Sequence, residues 1–436
     1  MKELTNTEAV INDLKNRQET LWINPKLEVL QINERINGYG FIHIKAANNR
    51  FLRFLPYIAE AFPETAEKKG VIESPLYHIP NMKDAFNKRG ANIKGNLLLK
   101  NDAELPIAGS VKARGGFHEV MVIAEKLAMQ AGLMLPADDH GKMNEPAFRE
   151  LFGQYTIHTG STGNLGLAIG RMASRMGFKV VIHMSSDAKE WKKQLLREAG
   201  ATVKEYDAPY VEAVAAGRRE AEADEKGIFI DDEKSKDLFM GYATGALRVK
   251  GQLRRAGIQV DETHPLFVFV PCGVGGAPGG ISFGFKVGYG DAAHCFFAEP
   301  TEAPCALLGM ATGKNSGISV EEIGLTGKTA ADGLAVTRPS EFVCFMMEEI
   351  LSGAYTISDE KLLAYQKEFY DLEDLFIEPS ACAGFLGAEE MTKPGSAFAA
   401  YIKEKGLEEY MENATILIWS TGGGLVPEEL RFAGSN

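Results

Sequence analysis

The chain has 436 residues, 45% of them hydrophobic and 24% charged, which is the balance of a folded globular protein and excludes a mostly disordered one. With 47 Lys and Arg against 59 Asp and Glu, the formal charge is −12, which argues against nucleic acid or an anionic membrane as the main partner. At roughly 150 residues per domain, two or three domains are expected.

The first twenty or so residues are polar and carry a helical pattern without an apolar leader core. No run approaches the roughly 18 apolar residues that a membrane span requires. A soluble, cytoplasmic protein is therefore expected. Charged helical patterns broken by Pro turns fill the rest of the first hundred residues, and no chemistry is visible there. Beyond them, short β-branched or aromatic runs alternate with longer helical ones. Strands are predicted at 155–158, 179–184, 202–206, 228–230, 266–270, 295–298 and 415–419. Helices are predicted between many of them, for instance at 164–176 and 188–199. Such alternation predicts an α/β fold with mostly parallel sheets. There is no internal repeat and no low-complexity linker, so separate domains are expected to arise by insertion.

Three predicted strands run into glycine-rich turns: Thr159-Gly160-Ser161-Thr162-Gly163-Asn164, Pro271-Cys272-Gly273-Val274-Gly275-Gly276 and Ser420-Thr421-Gly422-Gly423-Gly424. Ligands of open α/β sheets bind at the carboxyl ends of strands, so the three turns suggest one small-molecule site. The Gly273–Gly280 stretch is the densest. Its backbone N–H groups can converge on an anion, aided by the dipole of a following helix. It lacks the dinucleotide fingerprint, because Pro278 stands where the third Gly belongs. In Ser110-Val111-Lys112-Ala113-Arg114-Gly115-Gly116, a Lys among small residues lets a carbonyl cofactor approach, which favours Schiff-base chemistry. Asn164 could equally cap a helix, and Thr421 could equally start a turn.

Other motifs carry less. Gly324-Leu325-Thr326-Gly327-Lys328-Thr329 lacks the first Gly of a Walker loop, where Glu322 stands, and reads as a surface loop. The five cysteines, Cys272, Cys295, Cys305, Cys344 and Cys382, are odd in number and scattered, as in a reduced protein. No HExxH, CxxC or EF-hand pattern supports a zinc or calcium site.

Taken in order and spacing, the Lys112 segment, Ser161-Thr162-Gly163-Asn164, the Gly273–Gly276 loop and Thr421-Gly422-Gly423-Gly424 resemble the fold-type II pyridoxal-phosphate enzymes, the tryptophan synthase β-subunit superfamily. Within it the resemblance is to the D-serine dehydratases. It extends through Ala59-Glu60-Ala61-Phe62-Pro63-Glu64-Thr65, Phe229-Ile230-Asp231-Asp232-Glu233, Phe297-Ala298-Glu299-Pro300-Thr301 and Val426-Pro427-Glu428-Glu429, and so covers nearly the whole chain. The resemblance implies two α/β domains with the cofactor in the cleft between them. The small inserted domain would span 106–234, and the large one would combine 1–105 with 235–436. It implies that Lys112 holds pyridoxal 5'-phosphate as a Schiff base. Asn164 would bond the phenolic oxygen, and Gly273, Val274, Gly275 and Gly276 would hold the phosphate. Thr421 would face the pyridine nitrogen and keep it unprotonated. Thr162 and its neighbours would grip the substrate carboxylate, while Asp232 and Cys305 align with polar positions near the substrate.

The implied activity is β-elimination of D-serine through aminoacrylate to pyruvate and ammonia, with D-threonine to 2-oxobutanoate alongside. For the Cα base, Lys112 is preferred over Thr162. For the acid that aids the leaving hydroxyl, the cofactor phosphate, Asp232 and Cys305 all stand open. Relatives that use K+ or Na+ suggest Glu299 as a cation ligand, and the long N-terminal stretch suggests a monomer. An L-serine or threonine dehydratase on the same cofactor is the alternative. A non-catalytic phosphate-ligand binder would not need Lys112.

Overall fold

A computed structural model describes residues 7–161, 163–186, 188–207 and 210–432. Among these residues, 11 strands make two sheets. In chain order they are β1 (Leu21–Ile23), β2 (Leu76–His78), β3 (Asn96–Asn101), β4 (Thr156–Gly160), β5 (Lys179–Ser185), β6 (Thr202–Tyr206), β7 (Gly227–Ile230), β8 (Leu266–Pro271), β9 (Ala293–Pro300), β10 (Gly353–Ile357) and β11 (Thr415–Ser420). The chain divides into two units. One holds the residues up to Ile44, Ser74–Glu104 and those from Tyr242 on; the other holds Lys45–Glu73 and Leu105–Gly241.

The first unit is built on seven strands in the order β1-β10-β9-β8-β11-β3-β2. The five central strands are parallel, and β1 and β2 close the two edges antiparallel. Every residue of β8, β9, β10 and β11 is buried. That is why β8 reads Leu-Phe-Val-Phe-Val-Pro instead of alternating: strands of a parallel sheet are covered on both faces. Phe269 of β8 stacks on Phe296 of β9 with ring centroids 5.6 Å apart, and burial of each such side chain stabilises the fold by about 1.5–3 kcal/mol. Some of the polar groups in this core are paired. The Trp419 indole N–H donates to Asp102 at 2.9 Å, which ties β11 to the turn after β3.

The second unit carries four parallel strands in the order β6-β5-β4-β7. Its edge strand β6 is largely exposed and bears charge. Glu205 pairs with Lys193 and Arg197, and Lys204 with Glu220, a pattern that discourages pairing with another chain.

The seven strands expected from the sequence all form, each within about two residues at either end. The strands not foreseen, β1, β2, β3 and β10, are short or begin with small or polar residues. Residues 45–73 lie with the second unit, whereas the reading of 1–105 as one piece expects them in the larger one. Charge pairs between residues far apart in sequence help to hold this segment there, beside the packing of Phe51 on His118 and Phe54 on His140. Arg50 and Arg53 both reach Glu125 at 2.6 Å, and Glu73 reaches Arg114 at 2.7 Å. Residues 235–241 likewise belong with the second unit. No helix among the described residues is long and apolar enough to cross a membrane.

Candidate functional site

In the second unit, Lys112 is the first residue of the helix Lys112–Gln130. Its Nζ donates to Asp232 Oδ2 at 3.0 Å. Asp232 stands in the turn that follows β7. The two side chains are 21% and 13% exposed, so a ligand can reach both. Asp232 Oδ1 is buried and has no hydrogen-bond partner among the described residues.

That turn is held from several sides. Arg218 donates to Asp231 Oδ2 at 2.7 Å, and Asp231 Oδ1 accepts the Glu233 N–H at 3.0 Å. The Ser235 hydroxyl donates to Glu119, two turns along the Lys112 helix, and accepts the Leu238 N–H at 3.0 Å. Burial, reinforced by Asp237, Asp232 and Asp231, pushes the Glu119 carboxyl up to about 8. It therefore sits mostly protonated at neutral pH, which spares the Lys112–Asp232 pair a further negative charge.

Asn164 opens the helix Asn164–Met176 after β4. The Ser161 hydroxyl accepts the N–H groups of Gly163 and Gly166 at 3.2 and 3.0 Å and so fixes the turn before that helix. Thr162 lies outside the described residues. The Ser110 hydroxyl, two residues before Lys112, is buried without a partner among the described residues.

In the first unit, β8 runs through Cys272 into Gly273, Val274 and Gly275, and Gly276 opens the helix Gly276–Tyr289. Gly275 has φ +112°, a left-handed conformation that favours glycine. A Cβ there would come within 2.9 Å of Val343, and one at Gly273 within 2.9 Å of the Gly333 carbonyl. The Val274 carbonyl accepts from Ser340 N at 2.9 Å, and the Gly275 carbonyl from Gly279 N at 2.8 Å. With the carbonyls so engaged, the first N–H groups of the helix are the ones left for an anion.

Thr421 follows β11 directly. Its Oγ1 and that of Ser420 are buried without hydrogen-bond partners among the described residues. The next carbonyl, Gly422 O, accepts from Glu378 N at 3.1 Å. Glu299 ends β9 fully buried, and its two carboxylate oxygens accept the N–H groups of Ala306 and Leu307 at 2.8 Å each. Burial pushes Glu299 up to about 8. It thus serves the amino end of the helix Cys305–Thr312. The Cys305 thiol, 1% exposed, donates to the Gly273 carbonyl at 3.4 Å. Burial holds its pKa well above the ordinary thiol value, so it stays a thiol. Among the described residues, no three His, Cys, Asp or Glu side chains form a group that could hold a metal ion.

β9, β8 and β11 are adjacent parallel strands. Glu299, the Gly273–Gly276 loop and Thr421 therefore come off one edge of one sheet. In the other unit, Asn164 and Asp232 follow β4 and β7, which are also adjacent and parallel. Each unit thus presents its candidate residues at the carboxyl ends of neighbouring strands, where open α/β sheets bind ligands.

The pyridoxal-phosphate dependent enzyme family matches residues 68–401. The chain belongs to this family. Two relatives of this pyridoxal-phosphate enzyme, each named "Probable D-serine dehydratase", come from Bacillus cereus (strain 03BB102) and Halalkalibacterium halodurans. They are 49% and 50% identical to it, over 99% and 98% of this chain and 96% of each relative. Among solved structures, diaminopropionate ammonia lyase from Escherichia coli superposes with a TM-score of 0.71 at 18% identity. The match covers 93% of this chain and 94% of that one, and at that identity it speaks for the fold.

The residues present fit the family's cofactor. A phosphate is served by a loop whose space a Cβ would fill and by the helix start behind it. The Lys112 amine has the chemistry to take an aldehyde, and the Thr421 hydroxyl, buried without a hydrogen-bond partner among the described residues, has that to face a ring nitrogen. The supporting residues escaped the sequence reading. Gly333 and Ser340 back the glycine loop from 60 and 66 residues away, and Arg218 and Glu119 brace the Asp232 turn. No local spacing marks such partners.

Proposed function

We propose that the chain is a D-serine dehydratase, releasing pyruvate and ammonia from D-serine, with D-threonine giving 2-oxobutanoate as a slower reaction. The observation that carries this reading is the 49% identity to a relative of that name over 99% of the chain. Pyridoxal phosphate, when bound, makes the Cα proton of an attached amino acid acidic and lets a β-substituent depart.

The protein's own residues divide the remaining work. Lys112 holds the cofactor through its Nζ. The Gly273–Gly276 loop and the following helix start take the phosphate. Thr421 offers a neutral hydroxyl to the ring nitrogen, and Asn164 an amide to the phenolic oxygen. Thr162 grips the substrate carboxylate. Lys112 Nζ, once freed, takes the Cα proton. Asp232, 3.0 Å from that nitrogen, takes the proton on from Lys112 and delivers it to the departing hydroxyl, which leaves as water. The enamine that is released takes up water to give pyruvate and ammonia. Cys305 acts through the Gly273 carbonyl it touches, holding the phosphate loop in place. Glu299 and its neighbours are where a K+ or Na+ requirement would reside. The five buried cysteines, none of them in a disulfide, support a reducing, cytoplasmic setting, and a monomer is the oligomeric state assigned.

The deciding experiment is pyruvate release from D-serine and L-serine side by side, with pyridoxal phosphate and potassium present. A preference for the D-isomer of at least about a hundredfold is expected. Preference for L-serine or threonine would overturn the substrate and leave the Lys112 assignment standing.

A further inference from the structure

Away from the residues of the candidate site, the second unit has an open pocket of about 290 Å³ lined by Phe62, Glu64, Ile107, Arg149, Arg171, Ser174, Arg175 and Ala199. Three guanidiniums and one carboxylate meet there, an excess of two positive charges in a chain whose formal charge is −12. None of the three arginines forms an ion pair with a described residue. Two of them are instead held by backbone carbonyls: Arg149 by Arg175 O at 2.8 Å, and Arg171 by Ile107 O. The Ser174 hydroxyl, which lines the same pocket, is buried without a partner among the described residues.

An excess of like charge repels itself, and a buried hydroxyl without a partner is costly. Arg171 and Arg175 lie in the last turns of the helix Asn164–Met176, where cations complement the helix dipole. It draws in the third as well, since Arg149 donates to the Arg175 carbonyl at that same helix end. Arg149 comes from the separate helix Pro146–Phe152. The carbonyl bonds fix two of the guanidiniums before any ligand arrives, which lowers the ordering cost of binding. The acceptor on Arg171 is itself unusual. Ile107 has φ +75°, strained for a β-branched residue, and its carbonyl is turned to the arginine.

We propose that this pocket is a binding site for a phosphate-class dianion, either inorganic phosphate or a small phosphate monoester. Arg149, Arg171 and Arg175 would supply charge-assisted bonds and Ser174 a hydroxyl donor. Guanidiniums match the geometry of phosphate oxygens, and the volume leaves room for a short organic tail beside Phe62 and Ile107.

The test is isothermal titration of the holoenzyme, loaded with pyridoxal phosphate and desalted so that the cofactor loop cannot take the titrant. The titrants are sodium phosphate and glycerol 3-phosphate at low ionic strength. One saturable site per chain is expected. Arg149→Gln and Arg175→Gln should each weaken it by about tenfold, the loss of one charge-assisted contact. Glu64→Gln, which removes the one carboxylate, should tighten it by about threefold. Glycerol 3-phosphate binding at least about tenfold tighter than phosphate would identify a monoester as the occupant, and equal binding the free anion. No saturable heat up to about 10 mM, or unchanged affinity in the Arg149→Gln/Arg175→Gln double variant, overturns the proposal.

Discussion

Lys112 Nζ and Asp232 Oδ2 lie 3.0 Å apart, although 120 residues separate them in the chain. One begins a helix and the other follows a strand, and both side chains stay partly open to solvent. The second Asp232 oxygen is buried with no partner among the described residues, which leaves it able to hydrogen-bond a bound group.

Asp232→Asn keeps the shape of that side chain and removes its basicity. Turnover of D-serine should fall by about a hundredfold or more, as for loss of a general acid–base group. The yellow colour of the bound cofactor should persist. Lys112→Ala should instead abolish the borohydride-fixable attachment. An Asp232→Asn enzyme with undiminished kcat would remove Asp232 from the mechanism.

The glycine loop makes a separate prediction. Gly275 is left-handed at φ +112°, and a Cβ would meet Val343 at 2.9 Å. Gly275→Ala adds a backbone cost of about 1–2 kcal/mol and pushes on the wall behind the loop. Cofactor affinity, read by titrating the apoenzyme with pyridoxal phosphate, should drop by about tenfold or more. Gly395→Ala is the control. It too is left-handed, at φ +80°, but a Cβ there meets nothing within 4 Å. It should lower the melting temperature and leave cofactor binding unchanged.

These two cases show how far the sequence carries. Gly273–Gly276 is legible because the requirement is local: the chain must turn tightly and expose N–H groups within four residues. Lys112 is legible for the same reason, set among small residues at a helix start. The Lys112–Asp232 contact is not, since Asp232 sits in an ordinary acidic turn and nothing in its neighbours names its partner. The same holds for Glu299. Relatives that use K+ or Na+ point to it as a cation ligand, and no local spacing announces the N–H groups of Ala306 and Leu307 that its two oxygens accept. Strands buried on both faces, such as β8, announce themselves by composition. Three-residue edge strands such as β1 and β2 owe their pairing to the strand beside them and leave no periodic trace.

Thr421 offers a test that separates function from stability. Its hydroxyl is buried but bonds to no described residue. Replacing it by the near-isosteric Val therefore breaks no hydrogen bond to a described residue. Thr421→Val should leave the melting temperature within about 2 °C, equivalent to less than about 0.5 kcal/mol, while kcat falls and the cofactor absorption shifts. A large loss of stability with normal turnover would mean that the hydroxyl serves the fold and not the cofactor ring.

The last prediction concerns acid. His118 is 1% exposed in the Lys112 helix. Its Nδ1 bonds to the Asp237 carbonyl and its Nε2 to Arg50, each at 2.8 Å. A carbonyl accepts only, and a guanidinium donates only, so the ring is neutral with its proton on Nδ1. Burial and the adjacent Arg50 charge push its pKa down to about 3. The unfolded chain protonates this histidine near the ordinary value of 6.5, while the folded chain does not follow until about 3. Within that window the unfolded state binds the extra proton, so stability must fall as pH falls, by up to about 1.4 kcal/mol per pH unit from this group. Above 6.5 the term vanishes. His118→Gln should cost about 1–3 kcal/mol at pH 7, because a well-packed polar group is disturbed. It should also flatten the decline between pH 6 and pH 4, as read by urea unfolding at a series of pH values. Parallel pH curves for the wild type and the variant would show that the acid sensitivity arises elsewhere, with His183, whose pKa burial lowers to about 4, the next group to replace.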